Sequence, residues 1–222
     1  MSLSLWACLG AADSARAKAE WDFDKILSQA QARYGQLASG ERRLLAWNRL
    51  LSEVQALPER EQLAAINRFF NHQLAFRTDQ QIWGVDDYWA SPVEALLKGA
   101  GDCEDYALAK YFSLRQVGVP AEKLRITYVK ALARNQAHMV LTYYDTAQGT
   151  PWVLDNLTDS IQPASERNDL LPVYAFNAEG VYLPGANSDT PDEKLRSNSK
   201  QLSRWQAVLR KMSAEGFFID QG

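Results

Sequence analysis

The feature that most constrains this chain is a change of hydrophobic period near residue 118. Before it, apolar residues recur at helical spacing; from about residue 124 they alternate with a period of two. Phe23, Ile26, Leu27, Ala30 and Tyr34 form one helical stripe, closed by Gly35. Leu44, Leu45, Trp47, Leu51 and Val54 form a second, and Pro58 opens a third carrying Leu63, Ile66, Phe69 and Phe70. Residues 78–90 are polar and aromatic and read as an ordered loop. Beyond the switch, residues 125–132, 137–144 and 151–157 read as three strands in an antiparallel meander. Residues 171–176 and 181–183 suggest a further hairpin. Helices followed by strands predict an α+β fold rather than a parallel, alternating one. The expected organisation is a helical part over 18–118, a sheet over 124–184 and a closing helix over 196–216, all in one domain. That helix carries Leu202, Trp205, Leu209 and Met212; the Ser-, Asn- and Asp-rich residues 185–200 before it read as a mobile loop.

Just before the switch lies Gly99-Ala-Gly-Asp-Cys-Glu-Asp-Tyr106. Ser91 at N-cap and Pro92 at N1 start a short helix that Gly99 ends, and Gly101 permits a sharp turn into the next one. Asp102 is a good N-cap and Asp105, three residues on, completes a capping box, so Cys103 falls in the first turn of a helix ended by Gly118 and Pro120. Unpaired backbone N–H groups and the helix dipole favour a thiolate there, the nucleophilic form.

The chain holds two cysteines and two histidines. Cys8 lies in an apolar run followed by Ala15-x-Ala17, which reads as the remnant of a secretory signal over 1–17; an ordinary N-terminal helix is the alternative. If a signal is removed, the mature chain keeps Cys103 alone, and a lone thiol in an exported protein has no internal disulfide to form. His72, near the end of the third helix and without ligand-spaced companions, reads as a packing or capping residue. His138 lies on the second strand and Asp155 on the third. A hairpin that pairs Tyr144 with Gly149 also pairs His138 directly with Asp155, close enough for an imidazole to meet a carboxylate. The alternative is a strand histidine and an aspartate that merely ends a strand. A helix-start cysteine, a base and an orienting acceptor are what nucleophilic acyl chemistry requires.

The net charge of −3 and a pI near 5.5 give no reason to expect nucleic-acid binding. No apolar run reaches the roughly 18 residues of a membrane-spanning helix.

Trp89-x-x-Pro92-x-Glu94-x-Leu96-x-x-Gly99-x-Gly101-Asp-Cys-Glu-Asp-Tyr106, followed by Ala137-His138 and Leu154-Asp-Asn-Leu157, resembles the bacterial transglutaminase-like cysteine proteases. The resemblance covers most of the chain from about Trp21, and is most specific in this central segment. It implies a papain-like or transglutaminase-like fold in which the cysteine helix packs on an antiparallel sheet. It implies Cys103 as nucleophile, His138 as base and Asp155 as orienter. It also implies a calcium-dependent periplasmic endopeptidase that cuts a large surface adhesin in its N-terminal region, at a di-alanine site, and so promotes biofilm dispersal. Its implied inhibitor is the periplasmic domain of an inner-membrane cyclic-di-GMP receptor.

Asp102, Glu104 and Asp105 crowd the thiol and would raise its pKa, whereas a hard cation would neutralise them. These three are the expected calcium ligands; acidic residues also favour helix N-termini without any metal. Asp86, Asp87 and Asn156 are further candidates, and Trp89 is a candidate cleft wall. The backbone N–H of Cys103 is the expected oxyanion donor. Two other functions use or keep the same residues: a transglutaminase or amidase, sharing the thioester intermediate, and a non-catalytic binding module.

Overall fold

The computed structural model describes residues 21–182 and 199–218. The signal-like segment with Cys8 and nearly all of the loop expected at 185–200 lie outside the described residues.

Three helices open the chain: α1 (Phe23–Tyr34), α2 (Ser39–Val54) and α3 (Glu59–Gln73). Asp22 caps α1 by accepting from the Lys25 N–H. Trp47 sits at the centre of the helical half, fully buried, with Trp21, Phe23, Phe70 and Phe217 ringed around its indole at centroid distances of 5.4, 5.4, 6.2 and 5.9 Å. Its Nε1–H donates to Ser113 Oγ at 2.9 Å, so burying the indole leaves no donor unsatisfied. Leu45, expected in the same stripe, is 43% exposed; it falls on the solvent side of the turn that buries Leu44 and Trp47.

After α3 come β1 (Ala75–Phe76), α4 (Asp79–Ile82), α5 (Pro92–Lys98), β2 (Ala100–Gly101) and α6 (Cys103–Gln116). Residues 78–90 are thus not wholly loop: Thr78 and Gln81 form a capping box that starts the single turn of α4, too short to show a period. The capping box predicted for α5 is present, Ser91 Oγ accepting from Glu94 N and Glu94 Oε2 from Ser91 N. β1 and β2 pair in parallel, Ala75 with Ala100 and Phe76 with Gly101, which anchors the turn before Cys103 to the end of α3. Every residue of α6 from Asp105 to Leu114 is buried. The helix is central, packed on α3 on one side and on the sheet on the other, so no face of it meets solvent.

The sheet follows: β3 (Leu124–Ala131), β4 (Gln136–Tyr143), β5 (Trp152–Leu154), β6 (Gln162–Pro163), β7 (Leu170–Phe176) and β8 (Val181–Tyr182). Its order is β6-β5-β4-β3-β7-β8, and every pairing is antiparallel. Along β4, Met139, Leu141 and Tyr143 join the core shared with α6, while Val140 packs with Val129 and Val153 on the other face.

The chain closes with α7 (Ser199–Ala214). Trp205, Val208 and Met212 are buried in the core, whereas Leu209 is only partly so. Beyond α7, Glu215 is fully buried, accepting from Ser91 Oγ at 2.6 Å and from the Tyr34 hydroxyl at 2.7 Å. Burial pushes its pKa up to about 7. Lys211 Nζ donates to the Trp89 carbonyl at 2.7 Å and to Glu94 at 3.0 Å. Among the described residues no helix is long and apolar enough to cross a membrane.

Candidate active site

Cys103 is the first residue of α6, and its N-cap Asp102 forms with Asp105 the capping box expected from the sequence. The half-buried thiol opens on a cleft of about 480 Å³, with Trp89, Tyr128, His138, Met139 and Tyr174 among the lining residues. Trp89 therefore does wall the cleft, stacked on Phe176 at 5.9 Å and 17°.

His138 lies near the start of β4 and is 7% exposed. Its Nε2 is 2.9 Å from Oδ1 of Asp155, which is fully buried. The register that brings them together is not the direct pairing expected. β4 and β5 pair Leu141 with Leu154 and Tyr143 with Trp152, which moves Asp155 two residues along the ladder from the place opposite His138. The connection between the strands is the longer stretch 144–151, in which Gly149 donates its N–H back to the Thr146 carbonyl at 3.0 Å instead of pairing with Tyr144. A slip of two keeps both side chains on one face, and the diagonal neighbour remains within reach of an imidazole. β5 is also shorter than expected, ending at Leu154, so Asp155 stands just beyond the strand.

Further groups hold Asp155. Its Oδ1 also accepts from Leu157 N at 3.1 Å, its Oδ2 accepts from Arg167 Nη2 at 2.8 Å, and its carbonyl accepts from Asn71 Nδ2 at 3.0 Å. Buried Lys110 lies close enough to interact with it electrostatically, without a hydrogen bond among the described residues. Burial alone would raise the Asp155 pKa, but hydrogen bonds from His138 and Arg167 outweigh it and hold the carboxyl well below the usual carboxylate range. An ionised Asp155 accepts a hydrogen bond from Nε2–H, which leaves Nδ1 as the basic nitrogen of the ring.

The three expected ligands do not share one group among the described residues: Asp79, not expected, links Asp105 with Glu104, and Asp87, a further candidate, joins Glu104. Oxygens of Asp79, Asp102 and Asp105 lie within 4.8 Å of one another, as do those of Asp79, Asp87 and Glu104, and the Cys103 sulfur with Asp102 and Glu104. Asp102 Oδ1 and Asp79 Oδ1 are buried without a hydrogen-bond partner among the described residues. Burial and the neighbouring carboxylates of Glu104 and Asp105 push Asp102 up to about 10; burial and Glu104 likewise raise Asp105. A Cβ at Gly101 would come 2.8 Å from Asp105 Cβ, so glycine is what lets this carboxylate seat against the turn. Unpaired buried oxygens among crowded carboxylates fit a hard cation with oxygen ligands.

Asp79 was not found from the sequence, because it falls in residues 78–90, which read as a loop, and no spacing singles it out. Asp87 pairs with Arg204 of α7, and Asp86 joins none of these clusters. The Cys103 thiol donates to Glu104 Oε2 at 3.1 Å, and burial and these carboxylates push it up, against a favourable contact with the Met139 backbone. His72 proves to be neither packed nor capping: it is exposed and meets Asp159 Oδ2 at 2.7 Å.

Lys110, on α6, is 1% exposed, and its Nζ finds no hydrogen-bond partner among the described residues. Burial pushes its pKa down to about 7, with Asp155 and Asp159 acting the other way. Between that value and the unfolded value of about 10.4, the unfolded chain holds a proton that the native one lacks, so stability rises with pH across this window and the gain is absent below about 7. Lys110→Met is expected to flatten that rise and to stabilise the protein by about 1–3 kcal/mol at pH 6. Thermal melts of both proteins at pH 6 and pH 9 check this; an equal slope in the variant would refute it.

The family model described as "Bacterial transglutaminase-like cysteine proteinase BTLCP" matches residues 49–169. Among solved structures, the chain is similar to Legionella pneumophila LapG, with 42% identity and a TM-score of 0.71 over 88% of this chain and 99% of that one. The calcium-bound form of that protein gives 43% and 0.72 over 86% and 99%, and its EGTA-treated form 42% and 0.73 over 88% and 100%. No curated protein matches.

Proposed function

We propose, because the chain belongs to the bacterial transglutaminase-like cysteine proteinase family, that it is a calcium-dependent endopeptidase with Cys103 as nucleophile, His138 as base and Asp155 as orienter. The observation that carries the reading is one cleft shared by a helix-start thiol and an imidazole whose far nitrogen is bonded to a buried carboxylate. His138 Nδ1 takes the thiol proton as sulfur attacks the scissile carbonyl. The backbone N–H of Cys103, in the first helical turn where no intrahelical acceptor exists, faces the developing oxyanion. The tetrahedral adduct collapses to a thioester, and His138 returns the proton to the departing amine. His138 then takes a proton from water, whose oxygen attacks the thioester and frees Cys103. Asp155 keeps the ring oriented through both halves.

Asp102, Glu104 and Asp105, with Asp79 and Asp87, would hold the calcium ion. When bound, it supplies positive charge that offsets the carboxylates around the thiol. Support comes from the unpaired buried oxygens and from the calcium-bound LapG structure.

The substrate proposed is a large surface adhesin, cut in its N-terminal region at a di-alanine site, in the periplasm, with release of the adhesin and dispersal of the biofilm. The inhibitor proposed is the periplasmic domain of an inner-membrane receptor for cyclic di-GMP. These points rest on the motif resemblance, and the partly walled cleft suits small residues beside the thiol. Mass spectrometry of an adhesin N-terminal fragment incubated with the protein tests the reading. Two fragments meeting at Ala-Ala, formed with calcium and absent with excess chelator, are expected. A larger cross-linked product would point to acyl transfer instead, and cleavage undiminished in chelator would remove the calcium dependence.

A further inference from the structure

Arg167 holds a place in this site that the triad alone leaves unexplained. It lies outside any strand, in the segment between β6 and β7, yet is only 7% exposed. Its guanidinium is fixed from outside by Asp169, Nε to Oδ1 at 2.9 Å and Nη2 to Oδ2 at 2.8 Å. The same Nη2 reaches inward to Asp155 Oδ2 at 2.8 Å, while the other oxygen of Asp155 is kept for His138 Nε2 and Leu157 N. Asp169 is half exposed at its side chain, so the clamp runs from the surface to the buried carboxylate.

Two consequences follow from this geometry. A carboxylate with one oxygen taken by a planar, doubly anchored fork cannot rotate, so its second oxygen stays aimed at the ring. A buried carboxylate deprived of its fork would also gain by protonation, and a carboxylic acid donates to Nε2 instead of accepting from it. The ring proton would then move to Nδ1, the nitrogen that has to receive the thiol proton. We propose that Arg167 is a positioning residue: it fixes the tautomer of His138 by holding Asp155 as an acceptor. The inference deepens the proposed role of the dyad and rests on it, but its first test does not depend on any substrate.

The chain has only two histidines, and exposed His72 serves as internal control, so the imidazole 15N signals of His138 can be read directly. In a Cys103→Ala background at neutral pH, His138 is expected as the Nε2–H tautomer, and Arg167→Met is expected to shift it to a mixture or to Nδ1–H, with His72 unmoved. In the active protein, Arg167→Met is expected to lower kcat by about 10–100-fold with KM changed less than about twofold, and Arg167→Lys to recover part of the loss. If Arg167→Met does not fold, Asp169→Asn, which loosens the fork from the exposed side, should lower kcat by about 3–10-fold and move the same 15N signals. An unchanged His138 tautomer in a folded Arg167→Met or Asp169→Asn protein overturns the proposal, as does a loss confined to KM. A tautomer shift without any proteolysis would uphold the clamp and count against the peptidase reading alone.

Discussion

Replacing Cys103 by alanine is expected to lower peptide hydrolysis by about 10⁵-fold or more, to the level left by binding and the oxyanion donor alone. Nothing else in the cleft can take over the step. The other thiol of the chain, Cys8, lies far away in sequence at the signal-like start, and the other lining residues offer carboxylates, phenols and guanidinium groups rather than an activated nucleophile. The fold should hardly notice the change. Cys103 is half-buried and outside the aromatic core around Trp47, so losing one sulfur atom is expected to move the melting temperature by no more than a few degrees. Cleavage of the adhesin fragment and a thermal melt, run on the same preparation, separate the two effects. Full activity in Cys103→Ala would end the thioester mechanism, whatever the substrate proves to be.

The second large effect is on stability, and calcium is its agent. The native chain gathers five carboxylates into overlapping groups joined through Asp79 and Asp102, and each of these two has a buried oxygen without a hydrogen-bond partner among the described residues. An ion that binds this arrangement and not the unfolded chain stabilises it by about 2.7 kcal/mol at a hundredfold excess over Kd. For a chain of this size that corresponds to a rise of roughly 5–10 °C in melting temperature. Asp105→Asn is expected to abolish the rise. It should also leave the chelator-treated protein less stable than wild type, because both oxygens of Asp105 accept backbone N–H bonds, from Ala90 and Asp102, and an amide can accept only one of them. Calorimetric scans with calcium and with excess chelator check both, with no substrate involved. An identical calcium response in Asp105→Asn would place the ion elsewhere.

Much of this site could be read from the sequence because its parts are local. The N-cap, the cysteine and two of the acids are neighbours in the chain, and capping rules place them with no knowledge of the fold. His138 and Asp155 were also legible, since strand parity decides which side chains share a face. The expected register was nonetheless two residues out: that offset depends on the connection over 144–151, where Gly149 turns back to Thr146 instead of pairing with Tyr144. Asp79 and Arg167 escaped for the same kind of reason. Each becomes part of the site only when a distant segment folds against it, and neither carries a spacing that marks it in advance. The all-round burial of α6 was hidden too. A helix with neighbours on every side needs no apolar stripe, so its sequence pattern weakens as its burial becomes complete.

The placement of α7 has a consequence for the order in which a new chain becomes dangerous. The thiol, the imidazole and their orienting carboxylate are all synthesised well before residue 199. Yet the Trp89 carbonyl that edges the cleft is held by Lys211, Asp87 by Arg204, and the start of α5 by Glu215. A growing chain that has emerged only through β8 therefore carries a complete set of reactive groups on an unbraced cleft. Proteolytic competence should arrive late, with the docking of the last helix, and a ribosome-bound chain should leave its neighbours uncut.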